Sequence, residues 1–517
     1  TDATLEMVRD HIRDYKFFAT TTPDTTSFSF SISASGVFHI DWGDGTRQSY
    51  RKTNTTATTY SHEYATAGEY VIKIGGYATG YSTGWAQYTI SFKNNLNLAK
   101  IEGSLGAIFP TLKTGTTKQL QSNFNELFSG CTNLTGTIPP DLFKGVYGEP
   151  AILMFTSLFA NTAVTGEIPA GLFADISGMS ARIFYASFMN CDGLTGSIPE
   201  NLFSNISGKP SDWGFFDTFF GCSGLTGSIP ENLFAGISGA PANRIFARTF
   251  KGCSGLTGSI PENLFAGIVG PPATDMFMQT FSGCSGLTGE IPGNLFAGIS
   301  GPPATDMFSS AFAGCSGLTG PIPAGLFAGI SGPPAKNMFS STFYQCTGLT
   351  EIPAGLFAGI SGPPAQNMFG QTFRGCSGIN KPLPNDLFAG IDGAPVSHMY
   401  FYTFGGCSNL PGPIPENLFG NIYGAPASSM YQYTFYACSS LNSEIPENLF
   451  GNLYGDAQGG MFYQTFYWGV PIYGESAKIN GKYLYEIWPD ATTDQVRAMY
   501  AGCKQLTDYA DIPSPWK

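Results

Sequence analysis

Few side chains in this sequence have types and spacings that could do chemistry. The four histidines, His11, His39, His62 and His398, lie far apart and match no metal-ligand spacing. There is no His-Glu-x-x-His, no Gly-x-Ser-x-Gly and no phosphate-binding loop. Asp41 and Asp44 flank a glycine turn and could pair as acids or hold calcium. Pro-Glu-Asn recurs, as Pro199-Glu200-Asn201, Pro230-Glu231-Asn232 and Pro261-Glu262-Asn263, and looks like a row of carboxylates. Helix-start chemistry explains it as well, with Pro at the first helical position and Glu at the positive end of the dipole. The expectation is a chain with no catalytic group, no metal and no cofactor, and hence not an enzyme.

Cysteine is the exception in number, at eleven. Cys191, Cys222, Cys253, Cys284, Cys315 and Cys346 follow at steps of 31 residues. Cys376 comes after 30, because GLTEIP there replaces GLTGEIP, and Cys407 and Cys438 resume the longer step. Cys131 and Thr162 hold the same position upstream, and Gly469 and Cys503 hold it downstream. A period of this size, held this long, predicts a solenoid. Equivalent side chains in successive coils point the same way, roughly 5 Å apart on a strand side and about 10 Å on a helix side. A disulfide wants Cβ atoms about 3.5–4.5 Å apart. Thr162 and Gly469 also replace Cys without a paired loss. The reading is a ladder of buried free thiols acting as small apolar residues, with some bridges as the alternative.

One repeat, Gly301–Ile330, shows what must position these residues. Thr305 suits a helix N-cap and Asp306 a first turn. Met307, Phe308, Ala311, Phe312 and Cys315 then form an apolar stripe on a helix of about three turns. Leu318 and Ile322 point inward from a short extended segment. Pro323 opens a second, shorter helical turn carrying Leu326, Phe327 and Ile330. Ser331-Gly332-Pro333-Pro334 ends it.

The segment Leu194–Phe203, LTGSIPENLF, with Phe188-x-x-Cys191 upstream, resembles the BspA-like leucine-rich repeats of bacterial surface proteins. LTGSIP alone also resembles plant-type leucine-rich repeats, but those have shorter units and lack the cysteine. The resemblance covers most of the chain. It implies extracellular or cell-surface display and adhesion or ligand binding, without catalysis.

The expected layout begins with an amphipathic helix in 1–20, where Leu5, Val8, Ile12 and Tyr15 share one face. Residues 21–95 change to period two, with Phe28, Phe30 and Ile32, then Phe38, Ile40 and Trp42. Further strands are predicted over 68–75 and 85–93. FHIDWGDGT and YSHEYATAGEYVIKI resemble the polycystic-kidney-disease (PKD) domain, an immunoglobulin-like β-sandwich. In that family residues such as Asp41 and Asp44 shape a turn. Residues 96–130 lead into the solenoid, 131–468 hold the leucine-rich-repeat-like array of short strands and short helices, and 469–517 form a capping unit with a last helix ending at Cys503.

A net charge of −12 argues against nucleic acid or an anionic membrane as partner. No apolar run is long enough to span a membrane. The chain begins at Thr1 rather than Met, as expected of a processed or trimmed start. The informative variation lies at outward positions of the first predicted helix. These are Ser309-Ser310, Ser340-Ser341 and Gly370-Gln371 in the middle repeats. Later they become Phe401-Tyr402, Tyr433 and Tyr463, and Tyr436, Tyr467 and Trp468 join them just before the cysteine position. A smaller cluster stands at Trp213, Phe216 and Phe220. Rings in rows suit stacking on a sugar or on a host or cell-surface protein. The other reading is packing under the C-terminal cap. The functional expectation is an adhesin or a glycan- or protein-recognition module, with a self-associating subunit of a surface layer or filament as the alternative.

Overall fold

The computed structural model describes residues 14–84, 88–114 and 118–517. The chain forms two compact units, one of Thr1–Ser238 with Thr249–Leu256, the other of Gly239–Arg248 with Thr257–Lys517. Strands, turns and loops make up nearly all of both. Among the described residues, α-helix is confined to α1 (Leu484–Ile487) and α2 (Thr493–Val496).

The first unit opens with β1 (Tyr15–Thr21), β2 (Thr25–Ile32), β3 (Ser35–Asp41), β4 (Arg47–Lys52), β5 (Thr58–Gly68), β6 (Val71–Gly80), β7 (Ile90–Ser91) and β8 (Leu98–Gly103). An antiparallel sheet runs β4-β3-β6-β1-β8, and a second runs β5-β2-β7. Alternation sets their inner faces: Phe28, Phe30, Ile32, Phe38, Ile40 and Trp42 are all buried. Phe92 closes the gap between the sheets, 5.2 Å from Phe30 and 5.7 Å from Phe17, ring to ring.

Three expectations change here. The predicted N-terminal helix does not reach Phe18, because Phe17, Ala19 and Thr21 alternate inward as strand β1. The rest of that prediction, 1–13, lies outside the described residues. The strand expected over 85–93 is only Ile90–Ser91, with 85–87 again outside them. Leu98 and Ile101, within the 96–130 stretch expected to lead into the solenoid, belong to β8, so the sheets take in more than 21–95.

The repeats are built from turns where helices were expected. In the second unit Asp306 (φ 54°), Ser310 (φ 55°) and Gly314 (φ 74°) are left-handed, one residue in every four. Backbone donors then alternate. The N–H groups of Phe308, Ser310 and Phe312 reach forward to the carbonyls of Met338, Ser340 and Thr342 at 3.1, 2.8 and 2.9 Å. Those of Ser309, Ala311 and Ala313 turn back three residues, to Asp306, Phe308 and Ser310. Spacing decides this. Packed helices lie about 8–10 Å apart, whereas the rings of Phe308 and Phe339 stack at 5.8 Å and those of Phe312 and Phe343 at 5.7 Å. Only backbone at strand-like spacing brings them so close. The stripe Met307, Phe308, Ala311, Phe312 and Cys315 is still fully buried, because a four-residue turn superposes i and i+4 as a helix does.

The far side of each repeat carries parallel pairing. Gly320–Pro321 pairs with Leu349–Glu351, and Gly301, Gly332 and Gly362 bridge to Ile330, Ile360 and Ile391. Leu318 and Ile322 point inward as expected. Pro323 opens a turn, closed by Leu326 N–H to its carbonyl at 3.1 Å, and not a helix. Gly329 has no room for a side chain, since a Cβ there would collide with the Ile299 carbonyl one repeat back.

All eleven cysteines are free and buried. Their thiols also have a role that composition did not suggest. Cys315, Cys346 and Cys407 donate from Sγ to the carbonyls of Phe281, Phe312 and Phe373, each at 3.0 Å. Thr342 and Thr403 do the same for Phe308 and Phe369, at 3.1 and 3.0 Å. Burial pushes the Cys346 and Cys407 thiols up to about 12.

At the end of the second unit, the last predicted helix is only α2, with Gln495 Oε1 accepting the Thr492 N–H at 2.8 Å. The chain then folds back, and Pro515 and Trp516 offer carbonyls to the N–H groups of Ala498 and Tyr500 at 3.1 and 2.9 Å.

Candidate binding surface

The polar residues singled out in the first unit are committed to their own turn. Asp41 accepts from the Gly43 N–H at 3.0 Å and from Arg47 Nε at 2.9 Å. Asp44 accepts from the Thr46 N–H at 2.9 Å and lies 2.7 Å from His62 Nε2. His39 meets Ser49, and His398 meets the adjacent Ser397. No cluster of three or more His, Cys, Asp or Glu stands ready for a metal among the described residues. The Pro-Glu-Asn segments start turns, with the Pro199 and Pro230 carbonyls accepting from Leu202 and Leu233, so no helix dipole faces their glutamates. On that side Glu447 and Asn448 hold the Gly481 and Asn480 N–H groups of the chain's own end.

The aromatic residues, by contrast, come together. In the second unit the forward hydrogen bonds bring each repeat over the next, so outward positions form columns. Arg374, Tyr402 and Tyr433 stack in order: the guanidinium lies 4.1 Å from the Tyr402 ring, and Tyr402 lies 4.2 Å from Tyr433 at 22°. Phe401 meets Tyr402 edge-on at 5.0 Å and Tyr433 at 6.2 Å. Tyr436 lies edge-on to both tyrosines, at 5.7 and 5.5 Å. Tyr463 meets Tyr433 at 5.3 Å, and Tyr467 and Trp468 lie beyond Tyr436 at 6.0 and 6.5 Å. All seven predicted residues therefore belong to one strip. Six are half-buried and Trp468 is 63 % exposed.

The stacking changes what the strip offers. Tyr402 turns its faces to Arg374 and Tyr433 and not to water. The hydroxyls of Tyr433 and Tyr463 meet each other, and none of the hydroxyls of Tyr402, Tyr433, Tyr436, Tyr463 and Tyr467 is buried without a partner. Burial raises the Tyr402 hydroxyl, opposed by Arg374, and burial together with Tyr463 pushes Tyr433 up to about 12. Both are neutral donors near pH 7. The strip presents rings and hydroxyls in a row, with the exposed Trp468 at one end.

Sequence reasoning missed two contributors to the strip and two exposed rings outside it. Arg374 reaches the strip from the repeat position that Tyr436 and Tyr467 hold later and Tyr344 holds one repeat before, and it also lies 5.5 Å from the Tyr344 ring. Arg497, from the capping segment, lies 6.0 Å from the Tyr463 ring. Tyr423 and Tyr454 are 51 % and 60 % exposed on the bridged side, at a position that is Ser300, Ser331 and Ser361 in the middle repeats. The smaller cluster in the first unit is also self-packed: Tyr185 stacks on Phe216 at 5.3 Å, Trp213 lies 4.8 Å from Phe216, and Arg182 lies 5.3 Å from Trp213. The chain matches no family model, and no curated protein matches it. Among the described residues no helix is long and apolar enough to cross a membrane.

Proposed function

We propose that this is a non-enzymatic binding protein of the bacterial cell surface or secreted space. In this reading the array is a leucine-rich-repeat-like solenoid of 31-residue coils, preceded by a PKD-like β-sandwich, and the strip from Phe401 to Trp468 is where its ligand docks. One observation carries the reading. The core columns stay buried and apolar or aromatic from the middle to the C-terminal repeats, with Tyr400 and Tyr431 following Phe308 and Phe339, yet the outward positions 309–310, 340–341 and 370–371 change from Ser, Gly and Gln to Phe and Tyr. Packing does not require those rings, and a continuous aromatic strip at a surface is what interaction sites present.

Replacing Tyr402, Tyr433 and Tyr463 by Ser imitates the middle repeats. The variant is expected to fold and to bind a surface glycan or protein target at least about tenfold more weakly, roughly 1.4 kcal/mol. Parent-like binding would remove the strip from consideration, and unfolding would assign the rings to the core. The alternative, a subunit that polymerises end to end, has less support. The last turn donors at the C-terminal end are already met by Pro515 and Trp516. Light scattering on the full chain decides between the two.

A further inference from the structure

We infer that the ligand of the strip is an acidic polysaccharide, a linear sugar polymer carrying carboxylate or sulfate groups. This rests on the strip being the binding surface, and it goes further by assigning the chemistry recognised there.

The first argument is charge. Arg374 lies against Tyr344 and Tyr402 and holds Gln371 Oε1 at 2.8 Å, and Arg497 lies against Tyr463. Neither guanidinium has a carboxylate within ion-pair distance among the described residues, although the chain has 37 acidic residues against 25 Lys and Arg. The ionisable groups acting on Tyr402 and Tyr433 are Arg374 and other tyrosines, with no carboxylate among them. An acidic protein thus leaves two arginines unpaired along one strip and keeps acids away from the two stacked tyrosines. Guanidinium groups are suited to carboxylate and sulfate oxygens.

The second argument is hydrogen bonding. The tyrosine hydroxyls of the strip, with that of Tyr433 pushed up to about 12, are donors suited to the same oxygens. Stacking also denies a ligand both faces of Tyr402, which leaves a neutral sugar one ring fewer to stack on. The third argument is translation. Arg374, Tyr402, Tyr433, Tyr463 and Arg497 come from successive repeats, at differing positions within them, and the core rings of those repeats step by 5.5–6.3 Å. An extended pyranose chain advances by close to the same step per sugar, so a polymer can meet successive donors with successive units. A folded acidic protein has no such repeat, and for that reason the polysaccharide is the better fit.

The test uses the full chain, with polygalacturonate and heparin as carboxylated and sulfated probes and dextran and β-1,4-galactan as neutral controls. Affinity electrophoresis or titration calorimetry is expected to show binding to at least one acidic polymer, weakening as salt rises, and little to the neutral ones. Preference between the two acidic probes identifies the acid group. Arg374→Gln with Arg497→Gln is expected to weaken acidic binding about tenfold, while Arg374→Lys with Arg497→Lys retains most of it. Retention by the lysine pair excludes simple misfolding of the glutamine pair. Equal binding of neutral polymers, unaffected by the arginine changes but lost in the triple serine variant, overturns the acidic assignment and leaves the strip as a binding site. Binding of no polysaccharide, with tyrosine-dependent capture of a protein instead, overturns it as well. Polysaccharide binding that survives the triple serine variant overturns both.

Discussion

Repeats 301–361 and repeats 393–468 share a core and differ at the surface. Phe308 and Phe339 stack in the first set as Tyr400 and Tyr431 do in the second, at 5.8 Å in both. Cys346 and Cys407 donate to phenylalanine carbonyls at the same 3.0 Å. The outward residues of the first set are Ser309, Ser310 and Ser341, while those of the second are Phe401, Tyr402 and Tyr433. The comparison separates what the array needs in order to stack from what one segment of it adds. It also shows a cost inside the second set, where the hydroxyls of Tyr400 and Tyr431 are buried without a partner.

The largest expected effect tests the shared core. Folded thiols such as Cys346 and Cys407 ionise near 12, against an ordinary value of 9.0. The proton is held more tightly in the folded chain, so this stabilisation is complete below pH 9 and falls as pH rises from there toward 12. Alkaline unfolding followed by circular dichroism should therefore steepen above pH 9, and Cys→Ala at positions 346 and 407 should flatten it. An unchanged profile in that variant would remove the thiol ladder as the cause.

Next in size, Phe312→Ala and Phe435→Ala should each cost about 3–5 kcal/mol. Hydrogen exchange should rise mainly in adjacent repeats. Equal penalties would confirm a common core, and unequal ones would break the comparison. A smaller effect is expected from grafting. Ser309→Phe, Ser310→Tyr and Ser341→Tyr copy the later surface onto the middle repeats and should shift stability by less than about 1 kcal/mol. Measurable gain of ligand binding would show that the rings suffice for recognition. The smallest change is Tyr431→Phe, which removes the unpaired hydroxyl and should raise the melting temperature, by about 1 kcal/mol of stability.

Much of the arrangement was legible in the residues. Period-two runs such as Phe28, Phe30 and Ile32 announced strands, and the cysteine spacing fixed the repeat. The stripe Met307 to Cys315 named the buried residues correctly but not the backbone, because turns of four residues and helices of 3.6 bury nearly the same positions. The telling sign was elsewhere, in Asp306, Ser310 and Gly314, three residues four apart that tolerate or suit a left-handed backbone. All seven strip residues were legible as outward rings. Their mutual stacking was not, since it depends on the register between repeats, and the same register carries Arg374 over Tyr402.

The forward hydrogen bonds of the turn ribbon have an electrical consequence. Sheets carry small net dipoles because neighbouring peptide groups oppose each other. Here the N–H groups of Phe308, Ser310 and Phe312, and later of Tyr400, Tyr402 and Phe404, all point toward the following repeat. Peptide dipoles of about 3.5 D aligned head to tail add along the column, as they do in a helix. That side of the second unit is therefore polarised, positive toward its C-terminal end. The carbonyls of Pro515 and Trp516 sit at that pole and accept the N–H groups of Ala498 and Tyr500, so the column runs on into the C-terminal segment with these donors paired.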